Sequence, residues 1–312
     1  MTESSTKRAR IAYIVSAYRL PELLVRLVKR IDAPGTCTFI HVDAKSPDGV
    51  YRAMTEPLSG RPNVRFLPRH TCHWGDFGHV RATLKGLRVL IASNRPFDYV
   101  VLLTGQDYPL KTNEQIAATL GEAADKVFMR YMPIPNQHWT NGGAYRFENR
   151  YFRVAGRAYA FPGAPFGSTR LNRIWWRVAL ALGLYRTFPR GLTPYGGSSY
   201  WMLPADCARY VDEYTRDHPE LVRFFHHVRI PDEIYFHTIV MNSRFRDRVD
   251  PDDLRYVDWD RGGDNPGVLT GADLPKLVAS RALYARKFDP AVDPAVLDRI
   301  DDMLDASAPH SP

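Results

Sequence analysis

The chain has 312 residues, 45% of them hydrophobic, enough to bury a substantial core in one large domain or two modest ones, with disorder confined to the ends. Lysine and arginine (42) outnumber aspartate and glutamate (34), and the resulting charge of +8 suits an anionic partner: a nucleotide diphosphate, a nucleic acid or an acidic membrane surface. Cys37, Cys72 and Cys207 are too few and too scattered for a disulfide framework or a zinc motif, and no stretch reaches the roughly 18 uncharged apolar residues of a membrane span.

In chain order, Met1 to Arg10 is polar and basic and leads into a short apolar run, Ile11 to Ala17, read as a first strand rather than a signal segment; the sparse cysteines make a reducing cytoplasm the expected setting. Leu23, Leu24, Leu27, Val28 and Ile31 then recur at helical spacing, with Pro21 in the first turn. Strands are predicted at Thr36 to Val42, ending in Asp43, and at Val64 to Leu67. A helix follows with Val80, Leu84, Leu87 and Ile91 on one face. Tyr99 to Thr104 is a continuous apolar run, as in a strand buried on both faces. This alternation predicts an α/β fold with a mostly parallel twisted sheet flanked by helices. Its ligand crevice should lie beyond the carboxyl ends of the strands, where Asp43, Trp74 and Gly105-Gln106-Asp107 fall.

From Tyr131 to about Gly167 the pattern dissolves into Pro, Gly, Asn and aromatic residues, read as long ordered loops of the acceptor side. A strand at Ser199 to Leu203, a helix starting near Pro231 and a last helix with Val296, Ile300, Met303 and Leu304 inward complete the second half. One domain is expected, with a nucleotide-binding half over about 10–130 and an acceptor-binding and catalytic half over about 131–305; no internal repeat is visible.

Three stretches could carry chemistry. Glu233, in Ile230-Pro231-Asp232-Glu233, falls at a predicted helix start, where the dipole favours an ionised carboxylate able to accept a proton; the plain alternative is an acid that only complements the dipole. Arg286 and Lys287, with Arg255 earlier, could neutralise a diphosphate, or form a solvated basic surface. Asp258-Trp259-Asp260 has the spacing of a metal-binding acidic pair, but its late position favours loop or capping roles. Asp43 could accept hydrogen bonds from a nucleoside, and Trp74 could stack on a base. The histidines, His226 and His227 included, lack metal spacing and read as structural or surface residues, and phosphate-loop and dinucleotide motifs are missing.

Taken together, Ile40-His41-Val42-Asp43, His73-Trp74-Gly75, Leu103 to Lys111 (Leu-Thr-Gly-Gln-Asp-Tyr-Pro-Leu-Lys), Gly197-Ser198-Ser199-Tyr200-Trp201, Pro231-Asp232-Glu233 and Ala285-Arg286-Lys287-Phe288-Asp289 resemble, in order, the core-2/I-branching family of β-1,6-N-acetylglucosaminyltransferases and peptide O-xylosyltransferases. The resemblance implies a GT-A-like fold and transfer with inversion from a UDP-sugar to a glycan, lipid-linked or peptide acceptor. It implies a glutamate base at Glu233 and basic side chains in place of a metal, so no cofactor. By the same resemblance Asp43, Trp74 and Asp107 belong to the donor pocket and Arg255, Arg286 and Lys287 to the diphosphate; Lys111 and Trp259 are expected on the acceptor side. The chain departs from the family pattern at Tyr18, Asp76 and Gly78, around the donor pocket.

Two further readings complete the sequence. A non-catalytic nucleotide-sugar or polyanion-binding protein on the same fold is the alternative to an enzyme, and a nucleic-acid partner is not expected, because the cations are dispersed among apolar helices. Residues 170–190 mix arginines with Trp175, Trp176, Leu180, Leu182 and Leu184, a composition that suits peripheral contact with an acidic membrane or tryptophans packed in the core.

Overall fold

The structure, a computed structural model, describes residues 8–123, 125–163, 170–261 and 265–307. The strands are β1 (Ile11–Ala17), β2 (Thr36–Val42), β3 (Val64–Phe66), β4 (Tyr99–Thr104), β5 (Asp107–Pro109), β6 (Val127–Pro133), β7 (Arg150–Val154), β8 (Arg157–Phe161), β9 (Tyr195–Pro204), β10 (Val249–Asp250), β11 (Arg255–Val257) and β12 (Tyr284–Arg286). Seven of them form one sheet in the order β10-β6-β9-β4-β1-β2-β3. Its β3-β2-β1-β4 half is parallel throughout, and β9 runs antiparallel between β4 and β6. The α/β class with a mostly parallel sheet flanked by helices is therefore as the alternation predicted.

The parallel half follows from its sequence. β1 and β4 are buried almost throughout, as strands covered by helices on both faces must be. Helix Pro21–Ile31 buries Leu23, Leu24, Leu27, Val28 and Ile31 on one side, and helix Gly78–Ala92 buries Val80, Leu84, Leu87 and Leu90 on the other. At roughly 1.5–3 kcal/mol for each fully buried large aliphatic side chain, these two stripes are a major stabilising contribution to the layered core. The last helix, Val296–Ala306, has its first backbone N–H groups capped by Asp293 Oδ1.

Residues 131–167, expected to be loop, contain more structure than that. A 3₁₀ turn (Thr140–Gly143) and a short helix (Tyr145–Glu148) precede the β7–β8 hairpin. Its two-residue turn, Ala155-Gly156, has both φ values positive, at 48° and 79°, which matches the twist of the paired strands. A small residue and a glycine between two alternating runs was the signal available in the sequence.

A second small sheet, β11-β12-β5, overturns the expected place of Asp107. The residue was assigned to a turn facing the crevice. It lies instead in β5, antiparallel to β12 with Asp107 opposite Arg286, and is fully buried beneath the cleft. The same strand carries the chain away from the crevice, so Lys111, placed on the acceptor side from sequence, is not among the cleft-lining residues. It sits just before Thr112, the N-cap of helix Asn113–Glu122.

Candidate active site

A cleft of about 1430 Å³ opens at the carboxyl ends of the parallel strands. Ser16 and Ala17 of β1, Asp43 just past β2, Gly105 and Gln106 past β4, and Trp74 line it on the first half. Ser199, Tyr200, Glu233, Arg286 and Lys287 line it on the second. This is the crevice that parallel topology predicts.

Asp43 is nearly buried and its Oδ1 accepts from the backbone N–H of Lys45 (2.9 Å) and of Cys72 (3.3 Å), which fixes the carboxylate at the strand end. Trp74, Trp259 and Tyr18 are exposed aromatics of the lining, Trp74 at 67% and Trp259 at 54%. Both tryptophans offer a flat apolar face on which a base or sugar ring can stack.

The cationic wall is built in two layers. Arg255, whose side chain is wholly buried, donates to the Leu102 carbonyl (2.8 Å) and pairs with Asp107 Oδ2 at 2.9 Å. Asp107 also accepts from the Thr104 N–H, and its Oδ1 lies 3.5 Å from Arg286 Nε. The Tyr200 ring sits against both guanidinium groups, 4.3 Å from Arg255 and 4.6 Å from Arg286. Arg255, expected to hold a diphosphate, is thus an inner residue that steadies Arg286; Arg286 and Lys287 form the outer layer. Arg286 Nε is buried facing Asp107 Oδ1, at 3.5 Å too long for a full hydrogen bond, while Arg286 itself lines the cleft. Burial, then the neighbouring Arg286 and Arg19 charges, lowers the pKa of Lys287.

Glu233 differs from its sequence reading. Residues Pro231–Glu233 form a separate 3₁₀ turn after Ile230, whose φ is 51°, and the α-helix begins only at Tyr235. A single turn has little dipole, so burial and charge govern the carboxylate. Burial raises its pKa above the ordinary glutamate range, and Asp232 adds to this, while Arg146 opposes it through charge and a 2.5 Å hydrogen bond to Oε2. The Arg146 guanidinium in turn lies 3.6 Å from the centre of the Trp139 ring. The carboxylate remains 26% exposed, open to the cleft.

β9 links the Glu233 turn to the cationic wall. Ser199 Oγ donates to Asp232 Oδ2 (2.8 Å), holding the turn that carries Glu233, and the next residue is Tyr200. The preceding glycines are sterically required: a Cβ on Gly196 would run into the Trp139 ring, and one on Gly197 into the Arg130 carbonyl. Tyr200, Arg146 and Trp139 were not legible as site residues in the sequence, although Tyr200 lies within the Gly197–Trp201 motif. Arg146 and Trp139 gave no spacing signal, because they come from the stretch read as loop.

The remaining acidic and histidine candidates are engaged locally. Asp258 accepts from the Asp260 N–H and from Arg261, a capping role as expected for that loop. His226 packs on Phe77, and His227 Nδ1 lies 3.0 Å from the Tyr151 carbonyl. The fold does bring His41, His70 and Cys72 together, their ligand atoms within 4.8 Å, which linear spacing concealed. The two imidazoles are 3.0 Å apart, and burial together with the His70 charge pushes His41 down to about 4.

The profile described as Branch: Core-2/I-Branching enzyme matches residues 11–276. The chain belongs to the Core-2/I-branching enzyme family. Human xylosyltransferase 2 is 28% identical over 96% of this chain and 34% of its own length, and Drosophila melanogaster xylosyltransferase oxt is 26% identical over the same shares. The chain spans about a third of the length of the curated relatives it matches. Among solved structures, the mannosyltransferase Ktr4p from S. cerevisiae in complex with GDP aligns with 76% of this chain and 68% of its own, at 10% identity and a TM-score of 0.34. In this Core-2/I-branching chain the family motifs quoted from the sequence converge on one cleft, except for the buried Asp107 and the displaced Lys111.

Proposed function

We propose that this chain, a glycosyltransferase by family, transfers xylose or N-acetylglucosamine from a UDP-sugar to an acceptor hydroxyl, with inversion and without a metal. The observation that carries the reading is one cleft lined by a partly exposed carboxylate, Glu233, and by the Arg286-Lys287 cations, with adjacent residues of β9 holding both. In the displacement, the acceptor oxygen attacks the anomeric carbon as its proton passes to Glu233. The bond from that carbon to the UDP oxygen breaks, and the charge left on UDP is met by Arg286 and Lys287. Asp43 receives the uridine, Trp74 walls the donor, and Trp259 meets a glycan, lipid-linked or peptide acceptor.

Metal independence is supported by where the acids point. Asp107, the acid after the central strand, is buried against two arginines, and Asp258 is occupied by Arg261 and backbone. UDP release from a panel of UDP-sugars with EDTA present tests the reading. Turnover of one donor, xylose being the first choice given the named relatives, is expected to survive the chelator. Binding without release, whatever the acceptor, would instead favour a nucleotide-sugar-binding protein.

Arg146 sets the pH at which the base works. Because its charge lowers the Glu233 pKa, Arg146→Met is expected to move the acidic limb of the kcat/KM profile to higher pH. A limb that stays in place would mean that another group titrates.

A further inference from the structure

Residues 149–205 contain eight arginines and no aspartate, glutamate or lysine, so this stretch alone carries the +8 of the whole chain and the remaining 34 cations balance the 34 acids. Such segregation is not required by the cleft, whose cations Arg255, Arg286 and Lys287 lie elsewhere. Its fold explains where the charge is displayed.

In the β7–β8 ribbon, Phe152 pairs with Tyr159 and their rings stack at 6.0 Å, while Arg150 faces Phe161 and Val154 faces Arg157. Alternation puts all six on one face, since i, i+2 and i+4 share a side. That face is exposed: Phe152 43%, Val154 55%, Tyr159 46% and Phe161 47%. The other side of the ribbon faces the protein, with Arg153 paired to Asp76 at 2.9 Å and Arg229 near the Tyr151 and Trp74 rings.

The helix Arg170–Ala181 continues this surface. Ile174, Trp175, Val178 and Leu182 recur at helical spacing and are 41% to 66% exposed, where the core-packing reading of this stretch would have buried Trp175. Trp175 Nε1 donates to the Pro162 carbonyl at 2.7 Å, which ties the helix to the end of β8. Arg177, on the same helix, is exposed, and so is Arg190 beyond it. Arg186 is not part of the display, because it donates to the carbonyls of Phe224 and His227 inside the protein. The side chains of Arg170, Arg173 and Trp176 lie outside the described residues.

We propose that the outer face of the β7–β8 ribbon and of helix Arg170–Ala181 docks on an anionic lipid bilayer. Soluble surfaces rarely hold so many neighbouring apolar side chains in water. The flanking cations without a single acid are the complement of anionic headgroups, and aromatic and aliphatic side chains between them reach the headgroup boundary. Arg229 lies 5.7 Å from the Trp74 ring of the cleft and 5.9 Å from the Tyr151 ring of the ribbon, so the ribbon sits beside the cleft. A docked protein would therefore work on acceptors displayed at the membrane surface. Among the described residues no helix is long and apolar enough to cross a membrane, and surface docking needs none.

Flotation with vesicles of phosphatidylcholine plus phosphatidylglycerol, against phosphatidylcholine alone, tests this. The protein is expected to float with the anionic vesicles only, and less at high salt. The double variant Phe152→Glu/Leu182→Glu should remain in the soluble fraction, and Arg157→Glu should lower the partition coefficient by about tenfold. All three positions are exposed, so thermal melting and UDP binding should match the wild type and certify the fold. Absence of flotation with anionic vesicles, equal flotation with neutral ones, or undiminished flotation of the double variant would each overturn the proposal. So would a dimer that the double variant splits without any vesicle binding, which would give the face to a second copy of the chain.

Discussion

Replacing Glu233 by glutamine is expected to lower kcat by roughly 10²- to 10⁴-fold, the usual worth of a general base, while leaving UDP affinity near that of the wild type. The amide keeps the shape of the side chain and can still meet Arg146, so the Ile230–Ile234 turn and its Ser199–Asp232 bond should stay in place. What is lost is the ability to take a proton. Single-turnover rates with the donor identified in the panel, together with UDP titration calorimetry, separate the two quantities. A variant that loses UDP binding but turns over normally would make Glu233 a donor ligand and move the base elsewhere.

The second large effect is on stability. Asp107→Ala is expected to cost about 3–5 kcal/mol in urea unfolding, because it leaves the wholly buried Arg255 guanidinium without its counter-charge and removes the carboxylate beside Arg286. The Thr104 N–H loses its acceptor as well. Adding Arg255→Met to the variant should recover part of the loss, since the uncompensated charge disappears with it. A cost under about 1 kcal/mol for the single variant would mean that water reaches the pair and that it contributes little.

How much of the site was legible follows from which residues depend on local pattern. Helix Pro21–Ile31, helix Gly78–Ala92 and strands β1, β2 and β4 were readable because their burial repeats with the period of the element itself. Strands β5, β11 and β12 were not, since each has three residues, too few for any period, and they exist by pairing with one another across long sequence separations. Glu233, Arg286 and Lys287 were found through short motifs, but the layer that supports them, Arg255 with Asp107 and Arg146 with Trp139, came only from the fold.

Local pattern was enough for the α/β class, the end of the sheet at which the cleft opens and the family of the chain, because hydrophobic periodicity, the alternation of elements along the chain and short motifs are all written in the linear sequence. Four assignments came from the fold instead: Asp107 is a buried anchor, Arg255 stands behind Arg286, Glu233 answers to burial and Arg146 rather than to a helix dipole, and the arginine-rich stretch exposes apolar side chains both on the β7–β8 ribbon and on helix Arg170–Ala181. Burial and the distance between charges set each of these, and both are fixed by residues far apart in the chain.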